Sequence, residues 1–160
     1  MVSLGPVAAL HTRLFLNVLD TMGDEAAGAR IAAGTNSAAF IAAHLVDSRA
    51  WAARLLGVDL PAPFGGAVAY GRSMDDLERV PTLGEIREEW LAVSPVLEAR
   101  LAALTPEDLA GKTTQRFPID DATLAGTLAF LLHHEAYHLG QLGLLRRAAG
   151  LPAMRYRAGE

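Results

Sequence analysis

Three of the five histidines lie close together near the C-terminal end of the sequence, at positions 133, 134 and 138. At about 100° per residue on an α-helix, His134 and His138 share one face, whereas His133 is turned onto the flank. Two imidazoles at this spacing can reach one divalent metal ion. Because the chain has no cysteine, any metal site must use nitrogen and oxygen ligands, and a thiolate nucleophile of the chain itself is excluded.

His44 is the expected third ligand. It lies in a second segment of helical periodicity, on a stripe that consists of Phe40, Ile41, His44, Leu45, Ser48, Trp51 and Leu55. Three protein ligands leave positions open for water or substrate, which is typical of a catalytic metal site. The alternative is that the histidines are structural and hydrogen-bonded in the core. His11 is interpreted in that way, as a hydrogen-bonded or partly exposed residue.

Two polar residues follow the predicted ligands by about one turn. Gln141 lies after His138 and Asp47 after His44, where either side chain can hydrogen-bond a ligating imidazole and fix its orientation. Helix packing is the alternative role for Gln141, and exposure to solvent is the alternative for Asp47.

The string HEAYH also matches the H-E-x-x-H pattern of zinc peptidases, in which the glutamate activates water. We do not expect a peptidase, because no histidine follows position 138 and no segment has the alternating pattern of a cleft-forming strand. Glu135 is interpreted as a solvated or interhelical carboxylate, with a role as a nearby base as the alternative.

Four long segments with helical periodicity must position these residues, and they predict an all-α fold, a four-helix bundle. The predicted helices run from about Pro6 to Met22, from Thr35 or Asn36 to Gly57, from Thr82 to about Leu101, and from Asp120 or Asp121 to Gly150. Thr82 and Glu85 have the spacing of a capping box.

The connection between the second and third helices, from Gly57 to Pro81, is about 25 residues long and rich in glycine and proline. A bundle whose second and third helices run parallel needs such a crossover, so the predicted order is up-down-down-up. The whole chain, residues 1–160, is predicted to be a single domain.

Charge and hydropathy exclude other classes. The 14 Lys and Arg residues against 18 Asp and Glu residues are dispersed, so we expect no nucleic-acid partner. The apolar runs are shorter than the roughly 20 residues of a membrane span, so we expect no membrane partner. The first residues lack a charged leader, which predicts a cytoplasmic location.

Three stretches resemble the DinB/YfiT-like family. HHEAYHLGQLGLLRRAAGLP resembles its final helix, with H-x-x-x-H followed by G-Q, an arginine and a glycine. AAHLVDSRAWAARLLG resembles its second-helix motif, and LTPEDLAGKT resembles the segment after its third helix. The likeness covers most of the chain in the right order.

The resemblance implies an up-down-down-up bundle that holds a divalent metal, often zinc or nickel, through His44, His134 and His138. It also implies a homodimer acting on a small-molecule substrate. Activities in the family include S-transferases and isomerases that use a low-molecular-weight thiol, and metal-dependent hydrolases. A non-catalytic, stress-related bundle that binds a metal or ligand is the alternative. If the chemistry involves a thiolate, the missing cysteine requires that it come from a cosubstrate.

Overall fold

The computed structural model consists of helices and the segments that connect them. The structure describes residues 4–156, and within that range it contains no β-strand. The helices are α1 (Leu4–Leu19), α2 (Asp24–Gly28), α3 (Ala38–Leu55), α4 (Leu83–Ala102), α5 (Pro106–Ala110) and α6 (Leu124–Ala148). The prediction of an all-α fold is confirmed. None of the helices in this range is both long and apolar enough to cross a bilayer.

Side-chain caps set where the long helices begin. The Ser37 hydroxyl accepts a hydrogen bond from the Phe40 N–H at 3.3 Å, so α3 begins slightly later than predicted. The Thr123 hydroxyl caps α6 by accepting from the Gly126 N–H, which moves the start of that helix beyond the predicted aspartates. The capping box predicted at the start of α4 is present.

Contacts along the long helices give their relative directions. His11 and Val18 of α1 contact Glu135 and Arg146 of α6, so residue numbers rise together and α1 runs parallel to α6. The contacts between α3 and α4 also rise together, from the pair Arg49 and Ser94 to the pair Leu56 and Arg100. Between α1 and α4 the order is reversed, from Thr12 with Glu98 to Leu19 with Arg87. An up-down-down-up order requires these directions.

A stacked aromatic pair lies at the centre of the larger apolar cluster. The rings of Phe15 in α1 and Trp90 in α4 are 3.8 Å apart between centroids and nearly parallel. Neither residue is exposed to solvent. The other face of the Trp90 indole is covered by the guanidinium group of Arg49, at 3.9 Å from the ring centroid. The stack therefore joins α1, α3 and α4.

Arg49 is completely buried, and every group that it contacts helps to offset the cost of burying its charge. Two of its nitrogens donate to the carboxylate of Glu135 on α6. A third donates to the hydroxyls of Thr12 and Ser94, and the Ala8 carbonyl oxygen accepts one more hydrogen bond. This buried polar network ties all four long helices together.

His11 completes the buried polar network from α1. Its Nδ1 atom lies 3.0 Å from Oε2 of Glu135 and donates a hydrogen bond to it. Burial acts to raise the pKa of Glu135, but the Arg49 guanidinium and the hydrogen bond from His11 hold it below its usual value. His11 is therefore buried and hydrogen-bonded, the first of the two roles expected for it.

The long connection over residues 57–81 is attached to α3 along its length. Both oxygens of Asp47 accept backbone hydrogen bonds from it, one from Phe64 at 2.9 Å and one from Gly66 at 3.2 Å. Further along, the Met74 N–H donates to the side chain of Asn36, where a short 3-10 turn (Met74–Asp76) begins. These contacts hold the connection at the middle of α3 and just before its start, on either side of His44.

Candidate metal centre

Three imidazoles from two helices converge at one point. His44 projects from α3, and His134 and His138 project from α6. The Nε2 atom of His134 lies 3.1 Å from Nε2 of His44 and 3.0 Å from Nε2 of His138. In a tetrahedral zinc site with bonds of about 2.0–2.1 Å, neighbouring ligand atoms are about 3.3 Å apart. The three nitrogens are therefore spaced much as the ligands of one metal ion are.

Hydrogen bonds on the far side of two rings determine which nitrogens carry protons. The Nδ1 atom of His44 is 2.6 Å from the carbonyl oxygen of Val68, which can only accept. The Nδ1 atom of His138 is likewise 2.6 Å from Oε1 of Gln141. Both rings therefore carry their proton on Nδ1 when neutral. Their Nε2 lone pairs face the same point, as metal ligands require.

Within the described part of the chain, the ring of His134 lacks such a hydrogen bond on its far side. Its Nδ1 atom is buried and forms no hydrogen bond with any residue in the range 4–156. A single N–H group on its Nε2 atom can serve only one of the two facing lone pairs, so the cluster on its own leaves hydrogen-bonding capacity unused. A divalent cation at the centre would accept all three lone pairs. The residues present therefore fit a metal ion.

The surroundings keep the three imidazoles neutral. Burial lowers the pKa of His44, although the hydrogen bond to Val68 opposes that shift. Burial also lowers the pKa of His138. Burial and the neighbouring imidazoles together lower the pKa of His134 to about 4. Neutral imidazole is the form that binds a metal, so the site needs no deprotonation at neutral pH.

Gln141 links His138 to the edge of the site. Its Oε1 atom accepts the hydrogen bond from His138, and its Nε2 atom donates to the hydroxyl of Tyr137 at 3.1 Å. The amide group is therefore held from both sides, and it in turn holds the His138 ring in one orientation.

Asp47 does not hydrogen-bond an imidazole, which was the role expected for it, and it is buried, so the alternative of a solvent-facing carboxylate is not found either. Its two oxygens are occupied by the backbone amides of Phe64 and Gly66, while the His44 ring bonds to Val68 instead. Since Val68 follows Gly66 by two residues, Asp47 positions the segment that supplies the acceptor for His44. The Asp47 carboxylate also acts on the His44 ring through its charge, which opposes the lowering of the His44 pKa by burial.

The remaining residues of the HHEAYH string lie away from the cluster. His133 is exposed on the flank of α6, as its helical phase predicts. Glu135 is buried on another face of α6, and its oxygens are taken up by Arg49 and His11. Its carboxylate is thus an interhelical one, and it is not placed to activate water at the three histidines.

A pocket of about 570 Å³ opens beside the three histidines, all of which line it. One wall comes from α3, a second from α6, and a third from residues 69–72 of the long connection. Volumes of this size accommodate small-molecule ligands. The site therefore combines three convergent nitrogen donors with space for a substrate.

Helical bundle and histidine cluster together define a class of protein: an all-α bundle with a site that fits a divalent metal ion. The family model of the DinB superfamily matches residues 9–142. The chain belongs to the DinB superfamily, which confirms the resemblance seen in its motifs. No curated protein matches the chain.

Proposed function

We propose that this DinB superfamily chain binds a divalent metal ion through the Nε2 atoms of His44, His134 and His138. The observation that supports the proposal most directly is the hydrogen bonding of His44 and His138, which directs two lone pairs at the ring of His134, whose Nδ1 atom has no hydrogen-bond partner among residues 4–156. Zinc or nickel is the proposed metal, because imidazole nitrogen suits both.

We further propose that the chain is a metal-dependent enzyme, a low-molecular-weight-thiol S-transferase or a hydrolase, acting on a small molecule. Three protein ligands leave a coordination position open. A metal bound there lowers the pKa of a water or thiol that occupies this position. Since the chain has no cysteine, a sulfur nucleophile would come from a thiol cosubstrate. The adjoining pocket has room for a small molecule beside the three histidines.

One observation favours the non-catalytic alternative, a stress-related bundle that binds a metal or ligand. None of the described residues that line the pocket carries a carboxylate, so the walls provide no acidic side chain as a general base. An enzyme at this site would depend on the metal for activating its nucleophile. Turnover measurements therefore decide between the two functions.

Metal content tests the first step. Untagged protein is purified and analysed for bound metal, then stripped and reconstituted with zinc or nickel. We expect bound metal in the wild type and in His133→Ala, an exposed histidine off the site, and loss of metal in His44→Ala with the helical circular dichroism retained. A wild type that neither carries metal nor takes it up would overturn the proposal.

Turnover tests the second step. The metal-loaded chain is assayed with a panel of low-molecular-weight thiols and electrophiles, and with a panel of ester and amide substrates. Activity that disappears in His44→Ala and persists in His133→Ala supports an enzyme. Full metal loading without turnover on either panel supports the non-catalytic alternative.

A homodimer is part of the proposal. Small residues on the outer face of α6, among them Ala129, Ala136 and Gly140, are exposed, and so are Tyr137 and Leu144 beside them. The helices in residues 4–156 leave this face uncovered, so close packing of a second copy accounts for it better than packing among those helices. A mass measurement in solution tests this, and cell fractionation tests the cytoplasmic location that we also propose.

A further inference from the structure

The described walls of the pocket beside the histidines carry positive charge and no negative charge. Among the described residues that line it, Arg72 has the only charged side chain apart from the titratable histidines, and none is acidic. The facing walls are largely apolar and include Ile31, Phe40 and Leu144, of which Ile31 is 50% exposed and Leu144 is 62% exposed. The pocket thus presents an apolar surface and one guanidinium group to its occupant.

Arg72 differs from the other two arginines near this wall. Arg30 forms an ion pair with Asp75, and Arg79 forms one with Glu85. Arg72 forms no ion pair with any side chain in the part of the chain that the structure describes. Its planar set of N–H donors, which matches the geometry of a carboxylate or phosphate, is therefore available to a ligand.

A hydrogen-bonded turn of the backbone holds Arg72 at the pocket. Its N–H donates to the Ala69 carbonyl oxygen at 3.1 Å, closing a turn. Gly71, inside that turn, has a φ of +80°, which a side chain would disfavour. The turn is attached on both sides, through the bond between Val68 and His44 and the bond between Met74 and Asn36.

We propose that the pocket binds a small organic anion whose carboxylate or phosphate group contacts Arg72 and whose apolar body packs on the facing wall. The proposal names the class of ligand that binds at the site of the proposed function. Any reaction of that ligand rests on the proposed function. The contact with Arg72 itself requires no metal. It can therefore be measured on metal-free protein, where an anion cannot bind through a metal ion.

The test uses three probes of equal chain length on metal-free protein: hexanoate, hexyl phosphate and the neutral hexanamide. Dissociation constants are measured by calorimetry or ligand-observed NMR for the wild type, Arg72→Met and Arg79→Met. Methionine retains an apolar stem at each position. Arg79→Met is the matched control, because Arg79 is paired with Glu85 and does not line the pocket. Arg72→Gln provides a second variant, and melting temperatures verify that each variant folds.

We expect at least one anionic probe to bind the wild type more tightly than hexanamide and to bind Arg72→Met about fivefold more weakly, as for loss of one solvent-accessible ion pair. Arg79→Met should match the wild type, and hexanamide should not distinguish the variants. Which anionic probe binds better assigns carboxylate or phosphate. Equal binding to wild type and both Arg72 variants, or no preference for the anions, overturns the proposal.

Zinc binding by Arg72→Met, measured separately, keeps this proposal distinct from the proposed function. If the wild type fails to bind zinc but binds an anionic probe more tightly than Arg72→Met does, the proposed metal site is wrong and the proposed anion contact stands. If the wild type and Arg72→Met both bind zinc and bind the anionic probes equally, the proposed metal site stands and the proposed anion contact is wrong.

Discussion

Arg49 and Glu135 form a two-pronged ion pair in the middle of the bundle, with Nε to Oε1 at 2.7 Å and Nη2 to Oε2 at 3.0 Å. Arg49 follows His44 on α3 by about a turn and a half, and Glu135 directly follows His134 on α6. The pair therefore fixes the two helices that supply the histidines next to the point where the histidines meet. The glutamate of the H-E-x-x-H string supports the site through the fold.

Replacing Glu135 with alanine should destabilise the chain strongly. The change leaves the Arg49 guanidinium buried without its counter-charge, and such changes cost about 3–5 kcal/mol. Urea unfolding followed by circular dichroism measures the loss. Glu88→Ala, which removes an exposed glutamate of α4, is the control and should stay within about 0.5 kcal/mol of the wild type. Similar stabilities of the two variants would contradict the role assigned to the pair.

Replacing Gln141 with leucine should weaken zinc binding while leaving the fold intact. The variant removes the side-chain oxygen that accepts a hydrogen bond from Nδ1 of His138 and so keeps the Nε2 lone pair free for the metal. Losing such a contact typically costs about 10- to 100-fold in metal affinity. Competition with a chromophoric chelator measures the affinity. Gln115→Leu, which is remote from the cluster, should bind zinc as the wild type does. An unchanged affinity in Gln141→Leu would show that the ring is held by its packing alone.

Zinc affinity should resist mild acid. Burial lowers the pKa of all three imidazoles, that of His134 to about 4 with the help of its neighbours, so protons compete for the nitrogens only below the ordinary value of 6.5. Affinity should stay nearly constant from neutral pH to about 6.5 and fall as pH approaches 4. A peptide with the sequence of α6, whose imidazoles are solvated, should already lose affinity near pH 6.5. Parallel loss in chain and peptide would contradict the lowered pKa values.

The stability of metal-free protein should follow the same shifts with a definite sign. Where the folded-state pKa of a histidine lies below its unfolded value, the unfolded chain takes up the proton first. Stability should therefore fall as pH drops from about 6.5 toward 4, and His134→Phe should reduce the slope in that range. Urea midpoints measured at several pH values give the dependence of stability on pH, with His133→Phe as the control. A midpoint that stays level through this range in the wild type would refute the expectation.

Replacing Asp47 with alanine should loosen the long connection. Two backbone amides, those of Phe64 and Gly66, lose a charged acceptor, so their hydrogens should exchange faster in deuterated water. Zinc affinity should fall as well, since the segment that supplies the acceptor for His44 is less well held. Asp59→Ala, an exposed aspartate on the same connection, is the control. Unchanged protection of the two amides would contradict this role.

Local sequence patterns predicted the four long helices and brought His134 and His138 onto one face, because both features depend on periodicity along a single helix. His44 was identified because it interrupts an apolar stripe. The helix ends shifted by a few residues where Ser37 and Thr123 took the capping positions. Which of several neighbouring hydroxyl or carboxylate residues caps a helix depends on the path of the chain that precedes the helix.

The sequence suggests an interhelical role for Glu135 as one alternative, but it does not predict the partners in the polar network, since these are remote in sequence. Arg49 and Glu135 are separated by 86 positions, and neither shows its burial in local pattern. The available signal is that Arg49 lies in a helix most of whose residues are apolar. The contact of Asp47 with the connection was missed for a related reason: residues 57–81 have no periodicity from which their course could be predicted.

Trp90 gives the bundle an internal optical reporter. Its indole lies between the Phe15 ring and the Arg49 guanidinium, out of reach of water, so its fluorescence should be shifted to short wavelengths and should respond when either neighbour moves. The chain has two tryptophans, and the other, Trp51, is only half-buried. A Trp51→Phe chain would therefore emit from a single point where three long helices meet. Emission from that point would follow the assembly of the core in real time.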